Sequence, residues 1–360
     1  MKKLIALFLM IALLASFAGC AGTTVVVGNC TCPPDAHTPV ETPTEAPAEE
    51  DTVSGALKTG LAVMANISGS ASATAEENGK ADYDITLAAV TVDENGVIQS
   101  CVIDSVGTSV KFDAAGLPVD FDATKAILTK NELGFDYGMV AYNASAIGKE
   151  WFEQAAALAE YAVGKTADEL ANGAVNAEGK AADVDLATVA TIRIGAYVDG
   201  IVKAVANAKH LGAQSGDELK LAVINTMNAS AAEEAGGAAE LTVDVAAVTL
   251  KGDVITSCYI DALQAKVAFD GTGAISSDLA NPQTKNELGE GYNMKAWGGA
   301  KYEWNEQAAN FSAYVTGKTA ADVAGIAITE TTKPAEGTDL AASVTISIGG
   351  FQALIAKVAE

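Results

Sequence analysis

From Ala81 to Asp104 the chain reads ADYDITLAAVTVDENGVIQSCVID, with apolar and polar side chains alternating on both sides of Asn95-Gly96. A period of two flanking an Asn-Gly pair predicts two strands closed into a hairpin. VKFDAAGLPVDF and KVAFDGTGAISSD predict a further turn and strand, each with Gly at the bend. The period then changes. In EWFEQAAALAEYAVG, Trp151, Ala155, Leu158 and Ala162 fall on one helical face. TVATIRI reads as a strand that gives way to the helix AYVDGIVKAVANA, and GALKTGLAVMANI as a helix capped by Ser54.

These patterns recur along the chain. GVIQSCVIDS (Gly96 to Ser105) returns as DVITSCYIDA (Asp253 to Ala262), and TKNELG stands identically at Thr129 to Gly134 and Thr284 to Gly289. EWFEQAAALAEYAVGKTADEL returns as EWNEQAANFSAYVTGKTAADV, and DLATVATIRIGAYVDGIVKAVA as DLAASVTISIGGFQALIAKVAE. Such self-similarity predicts a tandem duplication, with one copy over 53–209 and the other over 210–360. About 150 residues is a comfortable size for a core. The expected fold class is α+β, two tandem copies of an antiparallel sheet covered by helices.

The repeated polar motifs read as helix ends. TKNELG is a capping box, Thr129 with Glu132, closed by Gly134. GKT, at Gly164 to Thr166 and Gly317 to Thr319, resembles the end of a phosphate loop, but Ala159 and Ser312 occupy the place of the required earlier Gly. A helix stop at Gly followed by a cap, Thr166 with Glu169 or Thr319 with Asp322, accounts for it better. Cys101 shares a strand face with Val97 and Ile103 and reads as a buried, inert thiol.

The chain start sets the compartment. Lys2 and Lys3 precede an apolar run from Leu4 to Leu14, and the segment closes on SFAGC. This describes a secretory signal over 1–19 rather than a membrane-spanning helix. FAGC resembles a bacterial lipobox, which implies lipidation of Cys20; cleavage after a small residue without lipidation is the alternative. Residues 20–52 read as an anchored tether, because PPDAHTPVETPTEAPAEE holds almost no large apolar side chain. The expected location is therefore the extracytoplasmic face of the cell membrane. Cys30 and Cys32, as CTC, are too close for a relaxed mutual disulfide, and only His37 is at hand as a further metal ligand.

Charge and histidine content narrow the chemistry. A formal net charge of −24, deepened by loss of Lys2 and Lys3, argues against nucleic acid and against lying flat on anionic lipid. The 2 histidines are His37 in the tether and His210 between the copies. Serine or cysteine hydrolase machinery has no base within a copy, and zinc has few ligands. Paired carboxylates remain possible, although no pair stands out. Any chemistry would then rest on a borrowed cofactor.

One motif points to such a cofactor. Asp185-Leu-Ala-Thr188-Val-Ala-Thr191 follows the pattern Asp-x-x-Ser/Thr-Gly-Ala-Ser/Thr apart from Val189, and Asp339-Leu-Ala-Ala-Ser343-Val-Thr345 keeps its two ends. DTVSGALKTG, from Asp51 to Gly60, is a near miss with Leu57 at the acceptor place; Thr59 is a reserve acceptor there. Each copy resembles a divergent FMN-binding domain, the type found in a subunit of sodium-pumping quinone oxidoreductases. The tandem lipoprotein form is similar to flavinylated surface lipoproteins of Gram-positive bacteria that pass electrons outside the cell. The resemblance implies FMN joined through its phosphate to Thr191 and Thr345 by a flavin transferase. Asp185, Thr188 and Asp339 stand at motif positions and Ser343 one place past the middle hydroxyl position, all as candidate cofactor-binding residues, and a membrane reductase would be the electron donor.

A helix start beside each threonine would favour the phosphate. Tyr137, Met139 and Trp151, with Tyr292, Met294 and Trp304, are candidates to lie against the flavin ring or to pack as ordinary core. A flavin electron carrier and a cofactor-free surface-binding or adhesion lipoprotein are both consistent with the sequence.

Overall fold

Two antiparallel sheets face each other through an apolar layer, and helices cover their outer faces. The architecture is thus α+β. The computed structural model describes residues 55–232 and 236–359. The signal segment, Cys20, Cys30, Cys32, His37, Asp51 and Ser54 lie outside the described residues. The strands are β1 (Ala56–Asn66), β2 (Gly79–Val92), β3 (Ile98–Phe112), β4 (Pro118–Val119), β5 (Lys209–Gln214), β6 (Glu218–Ala232), β7 (Gly236–Lys251) and β8 (Val254–Phe269). A five-stranded sheet runs β4-β3-β2-β1-β5, and a three-stranded sheet runs β6-β7-β8.

The helices are α1 (Lys130–Leu133), α2 (Trp151–Ala162), α3 (Ala167–Gly173), α4 (Val184–Val189) and α5 (Gly195–Ala206) in the first half. The second half has α6 (Lys285–Leu288), α7 (Met294–Gly298), α8 (Trp304–Val315), α9 (Ala320–Ala324) and α10 (Gly349–Val358).

Alternation decides the layers. Odd-numbered β2 residues such as Tyr83, Ile85 and Leu87 point to the other sheet, while Ala88, Val90 and Val92 point to α2 and α5. Between the sheets Phe112 and Phe269 stack with centroids 3.9 Å apart, and the Tyr83 hydroxyl donates to Ala239 O at 2.7 Å. Full burial of such side chains contributes about 1.5–3 kcal/mol each. The shared layer therefore fastens the halves together, and 52–360 form one compact unit. On the outer side α5 packs directly on β1, where a Cβ on Gly60 would stand 2.0 Å from Ala204 O.

Local signals behave as their chemistry requires. The β2–β3 hairpin turns at Asn95-Gly96, where Asp93 Oδ1 accepts from the amides of Asn95 and Val97, each at 2.9 Å. The capping boxes at Thr129, Thr166 and Thr319 are all formed. Trp151, Ala155, Leu158 and Ala162 make the buried face of α2.

Two expected elements differ. GALKTGLAVMANI is strand β1, because Leu57, Leu61, Val63 and Ala65 are buried at a period of two between β2 and β5. TVATIRI is not a strand. Asp183 Oδ1 accepts from the amides of Asp185 and Leu186 at 3.0 Å, which starts α4 through Val189, and 190–194 carry no regular structure. Side-chain capping outweighs the alternation there. His210 lies on β5, opposite Lys58 of β1, with Nε2 3.1 Å from a Glu94 carboxylate oxygen. Cys101 is half-buried rather than buried. Burial nonetheless pushes its thiol up to about 12, as it does for Cys258, so both are unreactive as thiolates near neutrality.

Candidate functional site

The segment from α4 to α5 is held by one buried side chain. Gln154 of α2, fully buried, turns its Oε1 to this segment and accepts from Thr191 N at 2.8 Å, Ile192 N at 3.2 Å and Thr191 Oγ1 at 3.2 Å. Its Nε2 donates to Lys149 O at 3.0 Å. In the second half Gln307 of α8 accepts from Thr345 N at 2.7 Å, Ile346 N at 3.2 Å and Thr345 Oγ1 at 3.2 Å. A buried amide with all its groups engaged fixes a loop that has no ladder of its own. Thr191 is half-buried and Thr345 is exposed.

The other motif residues stand apart. Asp185 and Thr188 are exposed on α4, and the Thr188 hydroxyl donates to Asp185 O at 2.6 Å. Asp339 is exposed at the start of the 3-10 turn Leu340–Ala342, and Ser343 Oγ donates to Leu340 O at 3.4 Å. These contacts serve the backbone turns. Thr59 is fully buried, 2.7 Å from Ser257 Oγ, and presents no hydroxyl to solvent.

Immediately after Thr191 the chain enters the wall of a cleft of about 520 Å³. Its lining includes Tyr137, Met139, Trp151, Ile192, Arg193 and Tyr197, with Lys130 beside them. The structure thus brings the three first-half aromatic and thioether candidates to one place. Glu150, itself buried, builds one side: its carboxylate accepts from Met139 N at 2.8 Å and Val140 N at 2.9 Å. Trp151 Nε1 donates to Tyr197 Oη at 3.1 Å, and Lys130 Nζ donates to the same oxygen at 3.4 Å.

The lysine ammonium stands 5.1 Å from the Trp151 ring centre and 5.4 Å from that of Tyr137, within cation–π range. Burial pulls its pKa down, but Tyr197, Tyr137 and Asp84 outweigh that and hold it above the ordinary lysine value. Lys130 is placed by its neighbour. Asn131 N donates to Asp104 Oδ1 at 3.1 Å and Asn131 Nδ2 to Ile103 O at 2.8 Å. Burial pushes the Asp104 carboxyl up to about 6, against hydrogen bonds from Thr129, Asn131 and Ser105.

The second half repeats part of this. Lys285 stands 5.1 Å over the Tyr292 ring and 5.0 Å over that of Trp304, and Met294 N donates to Glu303 at 2.8 Å. Phe351 occupies the position of Tyr197 and meets Trp304 edge-on at 5.8 Å. Ser347 stands at the position of Arg193, and its hydroxyl is hydrogen-bonded to that of Thr332.

Sequence reasoning missed Gln154, Lys130, Arg193 and Tyr197. The usable signals were a glutamine on an otherwise apolar helix face in both halves, and Arg193 as the single arginine of the chain. A larger groove of about 620 Å³ beside β3 and β4 carries Lys111 and Lys125 alongside Asp120 and Asp122, and none of the candidate residues. Among the described residues no His, Cys, Asp and Glu group suits a metal ion, and no helix is long and apolar enough to cross a membrane. Comparison of the chain with protein-family models, curated proteins and solved structures finds no match.

The cleft's donor set can be tested against FMN directly. A flavin phosphate asks for a cation and N–H donors, and its ring asks for flat apolar walls. Lys130 and Arg193 supply the cationic N–H donors, and Tyr137, Trp151 and Met139 the walls, within a volume suited to a small ligand.

Proposed function

We propose that this protein is a lipid-anchored, extracytoplasmic flavin carrier in which FMN is joined through its phosphate to Thr191. The two halves are read as tandem copies of an FMN-binding-type domain, with Thr345 as the second acceptor. The observation that carries the reading is the convergence of Tyr137, Met139, Trp151 and Arg193 on one cleft beginning one residue beyond Thr191. FMN, when bound, supplies reversible one- and two-electron transfer.

The chain's own residues would do the rest. Gln154 holds the Thr191 amide and hydroxyl and thereby fixes the direction of Oγ1. Thr191 Oγ1 would give up its proton to a base of the transferase and form the new P–O bond as the phosphoanhydride of a flavin dinucleotide donor breaks, the nucleotide monophosphate leaving with the electron pair. The dipole of α5, which starts four residues beyond Thr191, would favour the remaining negative charge. Covalent attachment suits a cofactor on the outer side of a membrane, where a lost flavin is not recaptured. Cys20 and the tether would let the carrier reach a membrane reductase and an outer acceptor.

The test is expression with and without a flavin transferase. Flavin fluorescence should stay with the denatured protein, and Thr191→Ala should remove the corresponding mass increment, with Thr345→Ala reporting on the second half. Properly matured protein that retains no flavin would sink the proposal and leave a cofactor-free surface-binding lipoprotein.

A further inference from the structure

The flavin reading leaves open how a chain with 46 acidic and 22 basic residues accepts a phosphate dianion. Its overall field repels one, so a local cation is required. Six lysines, at 58, 80, 203, 220, 295 and 357, are held in ion pairs with carboxylates. Two cations at the first-half cleft are not. Among the described residues neither Lys130 nor Arg193 makes an ion pair, and Arg193 is exposed on the cleft wall with no hydrogen bond to the rest of the fold.

Lys130 is engaged by Tyr197 and the two rings, deeper in the cleft. Arg193 stands two residues from Thr191, and its planar fork suits a phosphate better than a lysine does. The second half keeps Lys285 over its two rings but has no counterpart of Arg193: Ser347 is tied to Thr332, and the Tyr197 hydroxyl is replaced by the Phe351 ring.

We infer that Arg193 is the specificity residue of the first-half cleft, reading the phosphate of FMN, and that the second half does not share this recognition. The inference rests on the flavin reading of the same cleft. It treats Arg193 as acting on the ligand before and apart from any covalent bond. As a solvated surface side chain Arg193 would distinguish nothing, which is what the experiment decides.

The experiment uses the mature full chain made without a transferase, titrated with FMN and with riboflavin, which lacks the phosphate, while flavin fluorescence is followed. One FMN per chain should bind, roughly tenfold or more tightly than riboflavin. Arg193→Ala should bring FMN to the riboflavin level and leave riboflavin unchanged. Arg193→Lys should keep part of the preference. Raising the salt should weaken FMN and spare riboflavin.

Equal affinity for the two flavins in the wild type, an Arg193→Ala loss shared equally by both, or two equivalent FMN sites would overturn the inference. Covalent attachment by the transferase without measurable FMN binding to the unmodified chain would overturn it too, with the flavin reading left standing. If neither binding nor attachment occurs, both fall.

Discussion

Up to their threonines the first-half cleft and the matching second-half residues are built from the same parts, and they diverge just beyond. In the first half a lysine ammonium stands 5.4 and 5.1 Å from a tyrosine and a tryptophan ring; in the second the distances are 5.1 and 5.0 Å. Both have a buried glutamine closed on a threonine amide, at 2.8 and 2.7 Å. Past that point Arg193 and Tyr197 face Ser347 and Phe351 as counterparts. The shared glutamines are buried and hydrogen-bonded within the fold, so they maintain a shape. The shared lysine and rings keep part of the surface chemistry in both halves. What differs is the guanidinium of Arg193 and the hydroxyl of Tyr197, both in the lining of the first-half cleft.

The severest way to probe the shared framework is to remove its glutamine. Gln154→Leu strands the amides of Thr191 and Ile192 and the Thr191 hydroxyl, all of which converge on one oxygen. A buried donor left unpaired costs about 1–3 kcal/mol, so a loss of roughly 3 kcal/mol in urea unfolding is expected for this variant. Gln307→Leu should cost less, because Thr345 is exposed and water can replace the lost partner. Because 52–360 form one unit, each variant should shift a single transition. Two separated transitions would break the picture of a shared inter-sheet core.

A milder test addresses how the lysines are placed. Asp104 and Asp261 are both pushed up by burial to about 6 from an ordinary 3.8. Between those values the folded chain binds the extra proton, so each carboxyl contributes stability at low pH that is lost as pH rises through about 6. Asp104→Asn and Asp261→Asn keep an oxygen for the Asn131 and Asn286 amides and remove the buried charge. Each variant should match the wild type near pH 4 and exceed it near pH 7 by roughly 1–3 kcal/mol. The two halves should behave alike, since this feature is common to both. A gap that does not change with pH would show that neither group titrates as its burial requires.

How much of this was legible in the sequence follows from where the information lay. The β2–β3 hairpin, the face of α2 and the capping boxes are set by residues a few positions apart, and Asn95-Gly96 or Thr129 with Glu132 announce them. Strand β1 was misread because its small Ala and Gly residues suit either period, and only pairing with β2 and β5 decides. The irregular run 190–194 was misread because its order comes from Gln154, 37 residues upstream of Thr191. The aromatic candidates were legible as types and repeats. Their convergence with Arg193 was not, since α1, α2 and α5 meet only in the folded chain. That the two sheets share a core was equally invisible, because alternation tells which side chains are buried and not what buries them.

The finest comparison exchanges a single oxygen. Tyr197 Oη accepts from Trp151 Nε1 at 3.1 Å and from Lys130 at 3.4 Å, and Trp151 is buried. Tyr197→Phe leaves the indole N–H without that acceptor, for an expected loss of about 1 kcal/mol. The reverse exchange, Phe351→Tyr, sets a hydroxyl toward Trp304, which Phe351 already meets edge-on at 5.8 Å. Its expected effect is within about 0.5 kcal/mol, because a new hydrogen bond offsets the desolvation of the added oxygen. Urea midpoints of the two variants would measure both. If the second half loses as much from gaining the oxygen as the first loses from giving it up, Phe351 is there for packing that a hydroxyl spoils. If the second half is indifferent, its framework accepts either ring, and the Tyr197 hydroxyl is required only where Trp151 and Lys130 donate to it.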